Sequence, residues 1–114
     1  MRIVNLSGHP LDAPREHEMV ASCEIPNVDP TDVKSVTDAA ETLAEAYAPH
    51  EGSLVVLPGL SSLAAITLAK IHGRTGSFPM IAWAIRVDGK FVLTGDQSID
   101  LHEVRLDSRM DRMV

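Results

Sequence analysis

The sequence predicts an α/β domain with a mainly parallel sheet, helices flanking that sheet, and an antiparallel hairpin towards the C-terminus. Residues 53–57 are apolar on both faces, which is typical of a central parallel strand covered by helices on both sides. Strand-like and helix-like segments alternate along the chain, which favours a Rossmann-like arrangement. Asp88-Gly89 lies between two strand-like runs and is a strong hairpin signal.

The length of the chain fits one small domain, 1–114. A hydrophobic content of 45% is ordinary for a folded core. No apolar run approaches the roughly 20 residues that a membrane helix needs, so we expect no membrane partner. The N-terminus runs directly into strand-like sequence without a signal-peptide pattern, and we therefore expect a cytoplasmic protein.

The composition also limits the partners. A net charge of −6 argues against non-specific binding of DNA or RNA, but it does not exclude a compact phosphate ligand held by backbone N–H groups. The Lys and Arg residues form no cluster along the sequence, and aromatic residues, at 4%, are too few for a base-stacking platform. The single cysteine, Cys23, and the scattered histidines predict neither a disulfide nor a metal site. We expect no cofactor.

The first half of the chain contains two strand signals and one helix signal. Residues 2–6 are predicted to form the first strand, and alternation over Met19–Ile25 predicts a half-buried second strand. Apolar residues at 3-4-3-4 spacing predict a helix near 30–48, with Asp29-Pro30 as its start and Pro49 as its stop.

A second helix is predicted from about 61 to 72, and it is apolar nearly all round. His72 suits a helix C-terminus and Gly73 suits the left-handed residue that follows. A domain of this size has little with which to cover such a helix on every side. We therefore expect it either to pack between the sheet and the first helix or to be covered by a second subunit, and a homodimer is the preferred interpretation.

The C-terminal third is predicted to be mostly strand. Pro79–Val87 and Lys90–Thr94 flank the hairpin turn, and His102–Leu106 is a candidate final strand. Residues from Ser108 onward are predicted to form a mobile tail.

Two loops are the candidate ligand sites because ligands of open α/β sheets bind outside the carboxyl ends of the parallel strands. Glycines in these loops permit close backbone approach, serines supply hydroxyl groups, and a helix start favours anions. The first loop consists of Ser7, Gly8, His9 and Pro10, and the second of Pro58, Gly59, Leu60, Ser61 and Ser62.

Simpler interpretations of the same residues stay open. Ser61 is equally consistent with a plain helix N-cap, and Gly59 with a residue that only permits the turn. No catalytic residue is predicted, although His9 is the one conventional acid or base near these loops. Arg74 follows at the far end of the second helix, so it can approach the ligand only through a partner subunit or from a bent connection.

Two stretches together resemble a known family. The first is Leu6-Ser7-Gly8-His9-Pro10-Leu11, and the second runs from Pro58-Gly59-Leu60-Ser61 through Ala64-Ala65 to His72-Gly73-Arg74-Thr75-Gly76-Ser77-Phe78-Pro79. They resemble the small single-domain Csx-type CRISPR-associated proteins of type III systems. The resemblance covers the first strand with its loop and roughly residues 53–80, whereas residues 12–50 and 88–114 carry little recognisable motif.

That resemblance implies a CARF-like fold and a homodimer that binds a cyclic oligoadenylate second messenger across its two-fold axis. Cyclic tetra-adenylate has the matching symmetry. Some small relatives of CARF domains cut the ring, whereas others bind it and lower its free concentration. The matching pocket candidates are Ser7, Gly8, His9, Gly59, Leu60, Ser61 and Ser62.

Three functions follow as hypotheses. The first is a non-catalytic binder that sequesters the messenger and so modulates type III antiviral signalling. The second is a metal-independent ring nuclease, in which positioning of a ribose hydroxyl supplies much of the rate. The third is a structural or interaction protein whose apolar second helix forms an interface and whose loops bind no ligand.

Overall fold

The computed structural model describes residues 1–12, 15–25, 27–93 and 98–113. Its main sheet has five strands, namely β1 (Arg2–Asn5), β2 (Glu18–Ser22), β3 (Leu54–Val56), β4 (Met80–Ala82) and β7 (Ile99–Asp100). Their order is β2-β1-β3-β4-β7, and each pairing is parallel except that of β4 with β7. The predicted α/β class with a mainly parallel sheet is confirmed.

Two long helices connect the parallel strands, α1 (Val33–Tyr47) between β2 and β3 and α2 (Ser61–Thr75) between β3 and β4. Both pack on the same face of the sheet, where Val4 and Val55 meet the apolar sides of the two helices. On the other face, Ile3 and Val56 contact Leu93 instead. The expectation of helices on both sides of the central strand is therefore wrong for the part of the chain that the structure describes, because Leu11, Ala84 and Leu93, which cover the second face there, lie outside the helices.

The first helix begins later than predicted. Asp29 accepts hydrogen bonds from the backbone N–H and the hydroxyl of Thr31, so it forms a turn before the helix. Asp32 is the N-cap and accepts from the backbone N–H of Lys34 at 3.1 Å. A single-turn 3₁₀ helix, Ala48–His50, follows α1 at Pro49.

The second helix ends later than predicted. Gly73 remains helical, and the left-handed cap is Gly76, with φ at 82° and its N–H donating to the carbonyl of His72 at 2.8 Å. Its N-cap is Leu60, which has an extended backbone, so Ser61 is the first helical residue rather than the cap.

The hairpin is confirmed, but it is not part of the main sheet. The predicted strand Pro79–Val87 breaks into β4 and β5 (Ile85–Val87), and β5 pairs with β6 (Lys90–Val92) in a separate two-stranded sheet. Asp88 and Gly89 have positive φ angles of 49° and 78°, as a tight hairpin turn requires. Thr94, the predicted end of the second strand, lies outside the described residues.

The predictions for the C-terminus are wrong. Neither a strand at His102–Leu106 nor a tail from Ser108 is present, because Leu101–Arg112 forms the helix α3. Asp100 caps this helix by accepting from the backbone N–H groups of His102 and Glu103. Arg109 and Arg112 lie in its last turn, where cations interact favourably with the helix dipole.

The burial of α2 removes the original reason for a second subunit. Leu63 and Ile71 are buried, Ile66 and Leu68 are largely covered, and its exposed apolar side chains are the small alanines Ala65 and Ala69. The homodimer therefore remains a prediction, and exposed apolar surface on α2 does not support it.

Candidate functional site

The two predicted loops leave the sheet at the same edge. β1 and β3 are parallel neighbours in which Asn5 is paired with Val56, and the N–H of Leu6 donates to the carbonyl of Val56 at 2.9 Å. The first loop therefore starts beside the second. This edge is also where ligands bind in open α/β sheets.

The first loop is held by Asn5, a residue that the sequence analysis did not select. The buried Asn5 side-chain oxygen accepts from both the backbone N–H and the hydroxyl of Ser7, at 3.0 and 2.6 Å. Its amide nitrogen donates to the carbonyl of His9 at 2.7 Å, and the N–H of His9 donates to the Ser7 hydroxyl at 3.2 Å. Ser7 is buried, so it supports the loop and offers little surface to a ligand.

Gly8 has a specific steric role in this loop. Its φ is +79°, in the left-handed region, and a Cβ atom added there would lie 2.8 Å from the Ile25 side chain. The position therefore requires glycine both for backbone conformation and for space. By contrast, Gly59 in the second loop has no heavy atom within 4 Å of an added Cβ.

His9 forms an aromatic stack with the hairpin. Its ring lies on Phe91 with centroids 3.9 Å apart and an interplanar angle of 8°. The Arg86 guanidinium lies 5.9 Å from the centroid of the Phe91 ring. Backbone hydrogen bonds from Asp12 to the Phe91 carbonyl and from Leu93 to the Asp12 carbonyl fix the hairpin to the loop.

Phe91 and Arg86 are functional candidates that sequence reasoning missed. Low aromatic content argued against stacking, but the fold places one aromatic side chain directly on the candidate histidine. The Asp88-Gly89 signal identified the hairpin, but it did not indicate which surface the hairpin covers.

Two open cavities adjoin the first loop. One, of about 290 Å³, lies between the loop and the hairpin and is lined by Pro10, Asp12, Gly89, Lys90 and Phe91. The other, of about 240 Å³, is lined by Gly8, His9, Pro10, Ser22, Cys23 and Glu24. Both are near or below the lower end of the ~300–1,000 Å³ typical of ligand pockets. Each therefore suits one unit of a larger ligand.

The Cys23 thiol in the second cavity is held in its neutral form. Burial raises the pKa of Cys23, and the nearby Glu24 carboxylate raises it further. A neutral thiol is a weak nucleophile. The side chain therefore acts as part of the cavity wall rather than as a reactive group.

The second loop presents the start of α2 to solvent. Pro58 is buried at the end of the strand, whereas Gly59, Leu60, Ser61 and Ser62 are exposed. The N-cap Leu60 makes no side-chain hydrogen bond. Because no side chain caps them, the first N–H groups of α2 are available to an anion at this sheet edge.

Arg74 lies at the opposite end of α2, about 20 Å along the helix from Ser61 at 1.5 Å per residue. Its guanidinium forms an ion pair with Glu41 and is 3.8 Å from the Glu45 carboxylate, both on α1. The structure therefore does not bring Arg74 to the loops of its own chain, and a contact with a ligand in a partner subunit stays a prediction.

The arrangement of the two loops supports binding through backbone N–H groups and a stacked imidazole. Within the described residues, no group of three or more His, Cys, Asp or Glu side chains could hold a metal ion. None of the helices described there combines the length and hydropathy needed to cross a membrane. Comparison with protein-family models, with curated proteins and with solved structures found no match to this chain.

Proposed function

We propose that this protein binds a cyclic oligoadenylate at the shared edge formed by the loops 7–10 and 58–62. The observation that carries the proposal is the position of His9 and the uncapped start of α2 on loops that leave neighbouring parallel strands. His9 offers a flat ring on which a base can stack, and the start of α2 offers backbone N–H groups that can bind a phosphate. A cyclic oligoadenylate contains both groups in every unit.

The sizes of the cavities support a ligand shared between two copies. At about 240 and 290 Å³, neither cavity can enclose a tetranucleotide. A homodimer presents each loop twice, so a ring with two-fold symmetry meets the same contacts in both halves. Cyclic tetra-adenylate has this symmetry and is the specific ligand that we propose.

The proposed role is sequestration in the cytoplasm, which lowers the free messenger concentration and so modulates type III CRISPR signalling. The CARF-like identity belongs to the same proposal and is supported by the stretches 6–11 and 58–79. His9 is the one histidine in either loop, and its stacking on Phe91 gives it a positioning role. A binder rather than a ring nuclease is therefore the function that the site supports best.

The test is titration with cyclic tetra-adenylate, followed by chromatography of the recovered nucleotide. We expect one ring per two chains, intact ligand, and binding weakened about 5- to 140-fold in His9→Ala, since loss of one base stack costs about 1–3 kcal/mol. His102→Ala is the matched control, because this exposed histidine follows β7 at the other edge of the sheet.

Three results would contradict the proposal. Absence of binding at micromolar ligand would eliminate both the binder and the nuclease. Linear products whose formation requires His9 would replace sequestration with ring cleavage. Equal loss of affinity in His9→Ala and His102→Ala would move the site away from the first loop.

A further inference from the structure

The C-terminal helix α3 is the least covered of the helices and strands that the structure describes. Leu101 is partly buried, but every residue from His102 to Arg112 is exposed, and the most extensive contacts of the helix with another element are those with β4. An isolated helix of this length is marginal in water. A surface on another molecule would therefore stabilise it.

One side of α3 is an exposed apolar stripe. Leu106 and Met110 of α3 and Met113, its C-cap with a right-handed helical backbone, follow one another at spacings of four and three residues, which places them on one side of the helix. Their exposed fractions are 38%, 68% and 77%. The apolar stripe 106/110/113 has the four- and three-residue spacing that is typical of a short interface between two packed helices.

Charges of opposite sign flank the two sides of the apolar stripe. At 100° per residue, the basic side chains lie on one flank and the acidic side chains on the other. The basic flank consists of Arg105, Arg109 and Arg112, and the acidic flank of Glu103, Asp107 and Asp111. None of the ion pairs among the described residues involves either flank.

This segregation is unfavourable in an isolated helix. Arg105 and Arg109 are four residues apart, as are Asp107 and Asp111, and like charges at this spacing repel. The repulsion is relieved if an acidic surface lies against the first flank and a basic surface against the second. A polyanion such as a nucleic acid would satisfy the arginines alone and would be repelled by the acidic flank.

We propose that α3 pairs in parallel with α3 of a second copy of this chain, about a two-fold axis along the helices. In a parallel pair, each basic flank faces the partner's acidic flank across the apolar stripe. In an antiparallel pair, basic faces basic and acidic faces acidic. The arrangement of charges therefore favours a second copy of this chain as the partner of α3, and it favours a parallel orientation of the two helices.

This interface is separate from the proposed ligand site. Asp100, which caps α3, pairs with Met80 at the start of β4, and the ligand loops follow the ends of β1 and β3. The helix therefore leaves the sheet at the edge opposite the loops. Failure of cyclic tetra-adenylate binding would leave the pairing proposal intact. Absence of α3 pairing would likewise leave the proposal of ligand binding intact.

The first test uses two charge-reversed chains and sedimentation equilibrium. In Arg105→Glu/Arg109→Glu/Arg112→Glu both flanks are acidic, and in Glu103→Lys/Asp107→Lys/Asp111→Lys both are basic. In the absence of cyclic tetra-adenylate, we expect the wild type to self-associate reversibly in the micromolar-to-millimolar range, each variant alone to be monomeric, and the two mixed to associate. Restored association in the mixture shows that neither variant has simply unfolded.

Absence of wild-type self-association over that range would overturn the proposal. So would variants that each associate as the wild type does. The proposal would also be overturned if a mixture of the two charge-reversed variants stays monomeric while circular dichroism shows that both are folded. Such a result would show that opposite charges on the flanks do not drive the association.

The second test determines the direction of pairing. In a Cys23→Ser background, Met110→Cys places a thiol in the stripe at a layer that meets its own copy in a parallel pair. Ser108→Cys is the matched control, since residue 108 lies on the opposite side of the helix. We expect oxidation to cross-link the first variant and not the second, and equal cross-linking of both would contradict a parallel seam.

Discussion

Asn5 and Ser7 are joined by two hydrogen bonds, in which the Asn5 side-chain oxygen accepts from the Ser7 hydroxyl at 2.6 Å and from its backbone N–H at 3.0 Å. Both residues are buried at the end of β1. The bonds turn the chain directly after the strand and set the position of His9. The candidate ligand histidine therefore depends on a buried residue that lines neither of the two cavities.

Asn5→Ala is expected to destabilise the fold and to weaken ligand binding together. The change leaves the buried Ser7 N–H without its acceptor and leaves the Ser7 hydroxyl only the longer bond to the His9 carbonyl at 3.3 Å, a loss worth about 1–3 kcal/mol. Urea unfolding measures the stability, and titration with cyclic tetra-adenylate measures the affinity. Ser22→Ala is the control for stability, because it removes only a 3.4 Å contact with the Asn5 amide. Equal destabilisation by both changes would contradict the role of Asn5.

The two loop glycines are expected to differ in their response to alanine. Gly8→Ala places a Cβ against Ile25 at a left-handed position, so we expect it to lower the free energy of unfolding by about 1–3 kcal/mol. Gly59→Ala meets open space and should change it by less than about 0.5 kcal/mol. Thermal and urea unfolding of the two variants check this. A Gly59→Ala variant as unstable as Gly8→Ala would mean that the second loop carries strain as well.

Ser61→Asp is expected to separate stability from anion binding. An aspartate at the first helical position interacts favourably with the α2 dipole and should add about 0.3–1 kcal/mol to stability. The same carboxylate occupies the anion-favouring helix start, so it should repel a phosphate and weaken cyclic tetra-adenylate binding. Ser61→Asn is the uncharged control. If Ser61→Asp binds the ligand as tightly as Ser61→Asn does, the phosphate does not lie at this helix start.

The positions of β1, β3 and the loops that follow them were predictable because strand and turn signals are local. Residues 53–57 are apolar on both faces, and Pro58-Gly59 ends that run. Asn5 was not predicted because its role arises from hydrogen bonds to atoms beyond the strand. A polar residue as the last buried position of a strand is the signal that could have revealed it.

The errors in the C-terminal third have a different cause. The sequence predicts a strand at His102–Leu106, and a strand does not place the arginines at 105, 109 and 112 on one face, whereas the helix observed there does. The capping residue Asp100, followed by Glu103, is the signal that favours a helix there. The stacking of Phe91 on His9 could not be predicted, since it depends on how a separate hairpin packs across the first loop.

Glu41 is expected to stabilise the contact between α1 and α2. Its carboxylate pairs with Lys70 at 2.8 Å and with Arg74, and all three side chains are partly covered. Glu41→Gln should lower the free energy of unfolding by about 0.5–1 kcal/mol, with a smaller loss at high salt. Asp38→Asn is the control, because its pair with Lys34 is mostly exposed on one helix. Equal effects of the two changes at every salt concentration would contradict this role.

Tyr47 is expected to make stability depend on pH in alkaline solution. Burial raises the pKa of Tyr47, the Glu51 charge adds to this, and the hydrogen bond from the Gly52 N–H opposes it. Because the folded state favours the neutral phenol, its contribution is fully present below the unfolded pKa of about 10 and is lost as pH rises through the folded pKa. Urea unfolding at neutral pH and above pH ~10 should therefore show that the free energy of unfolding falls more in the wild type than in Tyr47→Phe. Lysine titration affects the wild type and Tyr47→Phe equally, so it does not contribute to the difference between them. If the free energy of unfolding falls with pH by the same amount in both proteins, the Tyr47 phenol ionises as easily in the folded state as in the unfolded state, which would contradict the prediction.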